Sequence, residues 1–162
     1  MRRTMAKAGS AVWFVVAPGG VAGAIPWWLT GWRAGQPVPP LWLRTVGAAL
    51  AGVGAAVLVH AFARFVVEGF GTPAPVAPPE RLVVGGLYRH VRNPMYVAVV
   101  AIIVGQALVL GRPVLLLYAV AAALTMALFT HAFEEPELRH RFGADYDAYR
   151  SAVPAWWPRL RP

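Results

Sequence analysis

Residues 94–133 read PMYVAVVAIIVGQALVLGRPVLLLYAVAAALTMALFTHAF. Arg112 is the only Asp, Glu, Lys or Arg in that stretch, and it sits inside Gly111-Arg112-Pro113. Two uncharged runs, 94–110 and 113–133, therefore meet at a break of Gly and Pro. Each approaches the ~20 residues that a helix needs to cross a bilayer, the first being short at about 17. So brief a connection predicts a tight antiparallel hairpin of membrane helices. Upstream, 11–29 and 46–63 are free of charge as well. The pattern is that of an all-α, polytopic membrane protein with about four transmembrane helices, at about 8–29, 41–67, 94–110 and 113–133. A C-terminal amphipathic cytoplasmic helix follows, and residues 1–162 form a single membrane domain.

The composition agrees: 58% of residues are hydrophobic and 14% charged, too apolar for an ordinary soluble surface. A net charge of +8 raises the question of nucleic acid. The placement of the charges has a simpler account. Arg2, Arg3 and Lys7 precede the first span, Arg81, Arg89 and Arg92 lie between the second and third, and Arg139, Arg141, Arg150, Arg159 and Arg161 follow the fourth. The other connections hold Arg33 and Arg112, with Arg44 at the start of span two. Cytoplasmic segments carry the Lys/Arg excess, so both termini and the 68–93 loop are expected in the cytoplasm, and no nucleic acid is expected as partner. Trp27, Trp28, Trp32 and Trp42 then mark the outer interface and Trp156 and Trp157 the inner one. The wealth of Ala, Gly, Pro and Arg suggests a GC-rich bacterial genome and hence an inner-membrane location. The start of the chain, through Ala22-Gly23-Ala24, imitates a signal peptide, but the apolar run continues to Leu29 and a retained first span is expected. With no cysteine there is no disulfide, thiolate metal site or cysteine nucleophile. Four scattered histidines lack metal-ligand spacing.

Local signals place the connections. Span one is expected to kink at Pro18, and Gly47, Gly52 and Gly54 to let span two approach a neighbour closely. Pro73, Pro75, Pro78 and Pro79 exclude regular helix from the connector that follows. Asn93-Pro94 reads as an N-cap with proline at the first helical position. Beyond Phe133 a new helix is expected from Glu135-Pro136. On it Leu138, Phe142, Tyr146, Tyr149 and Val153 fall at i, i+4, i+8, i+11 and i+15, an apolar stripe suited to a membrane face or the cover of a site.

Chemistry concentrates in 80–96 and 134–158. Arg89, Arg92 and Asn93 lie between Tyr88 and Tyr96, at a helix start that favours an anion. Anchoring and capping explain each residue singly but not the combination. Glu134 directly follows an apolar run, where a carboxylate is costly unless it meets a cavity or a cationic partner. Glu135 and Glu137 also read as acids complementing a helix dipole. His60, Arg64 and Glu68 share one helix face, either snorkelling and pairing or lining a substrate pocket. His131, near Glu134, reads as an interfacial histidine or as a general base. Tyr146 and Tyr149 read as packing.

In order and spacing, Gly86-x-Tyr88, Arg92-Asn93-Pro94-Met95-Tyr96, Glu134-Glu135, Phe142-Gly143-x-x-Tyr146-x-x-Tyr149 and Val153-Pro154 resemble the signature of the integral-membrane methyltransferases grouped with isoprenylcysteine carboxyl methyltransferase and the phospholipid methyltransferases. The likeness covers roughly 80–158; spans one and two carry none. It implies S-adenosylmethionine as methyl donor, with cofactor contacts from the segment before Gly86 (Leu82 and Val83) and from Tyr88, Asn93, Pro94, Met95, Tyr96 and Glu134. Arg92, His131 and Glu135 are the candidates for a catalytic role. Asn93 stands where the prenylcysteine enzymes have histidine, and 128–133 lacks the arginine that meets their substrate carboxylate, so the substrate stays open. The expected activity is methylation, on O, N or S, of a lipophilic small molecule or lipid at the cytoplasmic membrane face. A non-catalytic membrane binding or assembly protein is the alternative. A small transporter would need broken polar segments at mid-membrane, for which Pro18-Gly19-Gly20 is the one candidate.

Overall fold

The computed structural model describes residues 16–69 and 80–159. The beginning of the first span with its N-terminal cations, the proline-rich connector over 70–79 and Arg161 lie outside the described residues. Among the described residues every regular element is helical. The helix α1 covers 16–30, α2 is Leu41–Gly69, α3 is Pro94–Leu110, α4 is Pro113–Phe129, α5 is Glu135–Phe142 and α6 is Ala144–Ala152. A short 3-10 turn, Gly86–Arg89, precedes α3.

Within its described part α1 departs from regular α-helix at a π-helical turn, Gly20–Ala24; the turn preceding Pro18, where a proline kink would show, lies outside the described residues. Ile25 N–H reaches back to Gly20 O, and Pro26, next in line, has no N–H. The carbonyls of Val21 and Ala22 thereby lose their helical donors. Two polar side chains of the apolar hairpin replace them. Tyr118 OH donates to Val21 O at 2.8 Å, and Gln106 Nε2 to Ala22 O at 2.7 Å. Trp32 Nε1 donates to Gln106 Oε1 at 3.1 Å. In an apolar surround each freed carbonyl needs such a partner.

Packing centres on α3, which lies against α2, α4 and the π-helical turn of α1. Ile103 of α3 and Leu115 of α4 are fully buried among Ala98, Val99, Ala107, Ala119 and Ala122. The α2–α3 crossing depends on glycine. A Cβ on Gly105 would stand 2.6 Å from Gly47 O, and one on Gly54 would stand 3.0 Å from Ala98 O. Gly52 faces open space, so only two of the three glycines picked out in α2 serve the crossing. Away from these contacts α2 and α4 present Val46, Val53, Val59, Leu117, Leu124 and Leu128 outward. Two helical stretches, Leu41–Glu68 and Pro113–Phe142, are long and apolar enough to cross a membrane, and α3 is a shorter apolar helix.

Two expectations about the C-terminal region are corrected. No new helix starts at Glu135-Pro136. A second π-helical turn, Thr130–Glu134, carries α4 directly into α5, with Glu135 N–H bonded to Thr130 O. The wider turn accommodates Pro136, which lacks a donor of its own. The single amphipathic helix is in fact two, because Gly143 takes φ 52 and ψ −125, a conformation that is costly for residues with a Cβ. The break lets α6 turn inward, burying Tyr146 at its start and Val153 just beyond its end.

Candidate functional site

The site is assembled from the loop before α3, the second π-helical turn and the segment after α6. Tyr96, in the first turn of α3, donates its hydroxyl to Glu134 Oε1 at 2.5 Å. Thr130 Oγ1 donates to Glu134 Oε2 at 3.2 Å. Both oxygens of Glu134 therefore accept from neutral hydroxyls, and the carboxylate lies only part-buried between α3 and α4. Trp156 stacks on Tyr96, their ring centroids 6.4 Å apart and the planes 27° from parallel. Thr130 precedes Glu134 by four residues, a helical spacing that sequence reasoning could have used. Trp156, expected at the membrane interface, thus stands against the site, while its neighbour Trp157 is 82% exposed.

Glu135, the next residue, looks a different way. Arg92 Nη1 donates to Glu135 Oε1 at 2.7 Å and to Tyr146 OH at 3.1 Å, while Arg92 Nε donates to Val153 O at 3.0 Å. Arg150 Nη2 lies 3.3 Å and His131 Nδ1 3.5 Å from Glu135 Oε2. The Arg92–Glu135 pair is largely shielded, at 12% and 13% side-chain exposure, whereas the His131 side chain is 82% exposed. The guanidinium fork that the sequence offered to an anionic ligand is engaged by a carboxylate of the same chain.

A strap formed by 153–159 then closes over the loop. Arg92 N–H donates to Pro154 O, Asn93 N–H to Ala155 O and Arg159 N–H to His90 O, at 2.9–3.2 Å. Asn93 Nδ2 joins them, donating to Ala155 O at 3.1 Å. Asn93 does occupy the N-cap position of α3, but its side chain makes no capping bond. Pro94, the first helical residue, is fully buried.

Tyr88 lies in a smaller cluster with Ala61 and Val83, against which Phe65, Leu87 and Met95 pack. Its hydroxyl donates to Ala61 O at 3.4 Å, and its own carbonyl accepts from Tyr149 OH at 2.7 Å. Burial pushes the hydroxyl groups of both tyrosines well above the ordinary range, so each remains a protonated donor. Met95 touches this cluster and the main core alike. The structure thus brings Tyr96 to Glu134, Arg92 to Glu135 and His131, and Asn93 to the strap. Tyr88, Val83 and Met95 pack together in the smaller cluster, and Leu82 is half-buried beside Val83. Tyr146, read as packing alone, bonds Arg92 through its hydroxyl.

Helices of this apolar character, carrying a carboxylate–hydroxyl–aromatic cluster beside a shielded ion pair at one end of the bundle, define a membrane-associated protein with a concentrated polar site. The model of the phospholipid methyltransferase family matches residues 42–145, more than half of the chain, and the chain belongs to that family. The family is one of methyltransferases acting on lipophilic substrates. The match begins at the second residue of α2, so the family relationship reaches into a span in which no resemblance was evident. No curated protein matches the chain.

Proposed function

We propose that the protein is an S-adenosylmethionine-dependent methyltransferase. It works at the cytoplasmic face of a bacterial inner membrane, crosses the bilayer about four times with both termini inside, and methylates a lipophilic small molecule or lipid. The observation that carries this reading is the Tyr96–Glu134 hydrogen bond, which unites two motifs 38 residues apart at a single polar site.

The donor set suits this cofactor. A part-buried carboxylate accepts hydrogen bonds from ribose hydroxyls or an ammonium, and an aromatic face such as Trp156 or Tyr96 attracts a sulfonium or stacks on a purine. S-adenosylmethionine, when bound, supplies a methyl group already activated for displacement. The chain's part is then to align the reactants and exclude water. Glu134 holds the donor, with Tyr96 and Thr130 fixing the carboxylate. Met95, Pro94, Val83 and Leu82 contribute apolar surface, and Tyr88 and Asn93 shape the loop. Of the three residues considered for catalysis, His131 is the one we place against the reacting atoms. Exposed and one turn from Glu135, it takes a proton from an amine or hydroxyl nucleophile; a carboxylate nucleophile would need no base. Arg92 and Glu135 we assign to positioning, because their hydrogen bonds bind α5, α6 and the strap to the loop. The test is calorimetric titration of detergent-purified protein with S-adenosylmethionine and S-adenosylhomocysteine. Saturable binding that Glu134→Ala weakens at least tenfold is expected. A folded wild type that binds neither, even with added lipid, contradicts the reading and favours a non-catalytic binding or assembly protein.

A further inference from the structure

His60, Arg64 and Glu68 share one face at the end of α2, and the ion pair that the sequence allowed is present, Arg64 Nη1 donating to Glu68 Oε1 at 3.0 Å. That pair does not account for the glutamate. Glu68 lies in the last turn of α2, where the helix dipole favours cations and disfavours a carboxylate. An i,i+4 pair with the cation first is also the weaker orientation. The other carboxylate oxygen has a partner outside the helix: Glu68 Oε2 accepts from the Gly85 N–H at 3.0 Å.

Gly85 opens the 3-10 turn Gly86–Arg89, and the whole turn is seated on this face of α2. A Cβ on Gly85 would stand 2.6 Å from Glu68 Cδ, and the three atoms nearest to it all belong to the Glu68 carboxyl group. A Cβ on Gly86, whose φ is +56, would stand 3.2 Å from Arg64 Cγ and 3.3 Å from His60 Nε2. Further back along α2, Tyr88 OH donates to Ala61 O at 3.4 Å, and the Tyr88 and Phe65 ring centroids lie 6.4 Å apart. Residues 60, 61, 64, 65 and 68 thus form one platform, and the Gly85–Glu68 bond gives the turn a charge-assisted anchor on it. Leu82 and Val83 lie just before this anchor and Tyr88 just after it. We propose that Glu68 is a positioning residue for the donor site: by holding the Gly85 N–H it fixes the segment from Leu82 to Tyr88 against α2. The role rests on the donor assignment made above for that segment. Glu68 itself meets no donor atom and acts through the turn.

The test pairs calorimetric titration of the full chain in detergent with S-adenosylhomocysteine and hydrogen exchange of the free protein. Glu68→Ala should weaken binding about tenfold. It should also speed exchange over 85–89 while α3 and α4 exchange as in the wild type. Glu68→Gln, which keeps an acceptor for the Gly85 N–H without the charge, should recover most of the affinity. Gly85→Ala should lose as much as Glu68→Ala. The double variant should lose no more than either single one, because the carboxyl group that a Cβ on Gly85 would meet is gone. Gly105→Ala overpacks the α2–α3 crossing against Gly47 and Ala51, in the other half of α2, and should lower Tm without weakening binding. A loss of affinity is thereby told apart from a loss of stability. Wild-type affinity in Glu68→Ala, additive losses in the double variant, or unchanged exchange over 85–89 would each overturn the positioning role alone. No binding by the folded wild type would instead overturn the donor reading, and this role with it.

Discussion

Adjacent glutamates at the second π-helical turn have opposite assignments, and substitution should separate them. Glu134 accepts from two neutral hydroxyls, an arrangement that leaves room for a ligand's donors; Glu135 is neutralised by Arg92 and flanked by Arg150. Tyr96→Phe removes one donor to Glu134 and should weaken S-adenosylmethionine binding several-fold, with little change in Tm, by calorimetry and thermal unfolding. Arg92→Ala leaves a shielded carboxylate without its main partner and should cost about 3–5 kcal/mol of stability. Arg92→Lys should recover only part of that loss, since an ammonium does not reproduce the fork that reaches Glu135, Tyr146 and Val153 together. Thermal unfolding in detergent checks both. A loss of donor binding in Arg92→Lys with unchanged Tm would show that the arginine meets the ligand, contrary to a positioning role.

At the scale of elements, glycine decides two junctions. Gly105 and Gly47 bring α2 and α3 to backbone contact, so Gly105→Ala should destabilise by about 1–3 kcal/mol through overpacking. Gly52 faces open space in the same helix, and Gly52→Ala should be neutral or stabilise by up to about 1 kcal/mol. Equal effects at the two positions would contradict the crossing. Gly143 has nothing near its missing Cβ, so any penalty for Gly143→Ala comes from the backbone alone, about 1–3 kcal/mol. The helix periods of the hairpin were legible in the sequence, because uninterrupted apolar runs bounded by Gly111 and Pro113 admit little else. The two π-helical turns were not. Each precedes a proline, Pro26 or Pro136, and proline read from sequence alone signals a helix start or kink rather than a wider turn that continues the helix. Gln106 and Tyr118 show the same limit: their purpose is set by carbonyls freed on another helix.

For the whole molecule, the polar motifs were legible as a set but their partners were not. Tyr96 and Glu134 were both picked out by their position beside apolar runs, and the structure joins them. That Arg92 would meet Glu135 depends on how the second π-helical turn leads into α5, and that Asn93 would bond the strap in place of capping α3 depends on how α6 turns after Gly143. No spacing rule encodes that. The proposed topology has its own test, made clean by the absence of cysteine. A single cysteine at Gln36 should react with an impermeant maleimide in intact cells, whereas one at Ser151 should react only after the inner membrane is opened; the reverse pattern would invert the orientation. The central claim, methyl transfer to a lipophilic acceptor, is tested most directly with S-adenosylmethionine carrying a radiolabelled methyl group. It would be incubated with the protein reconstituted in bilayers of native lipid extract and followed by organic extraction. Label should enter the organic phase with the wild type and fall by at least a hundredfold with Glu134→Ala. Label that stays in the aqueous phase with folded, cofactor-binding wild type, or transfer that persists in Glu134→Ala, would contradict it.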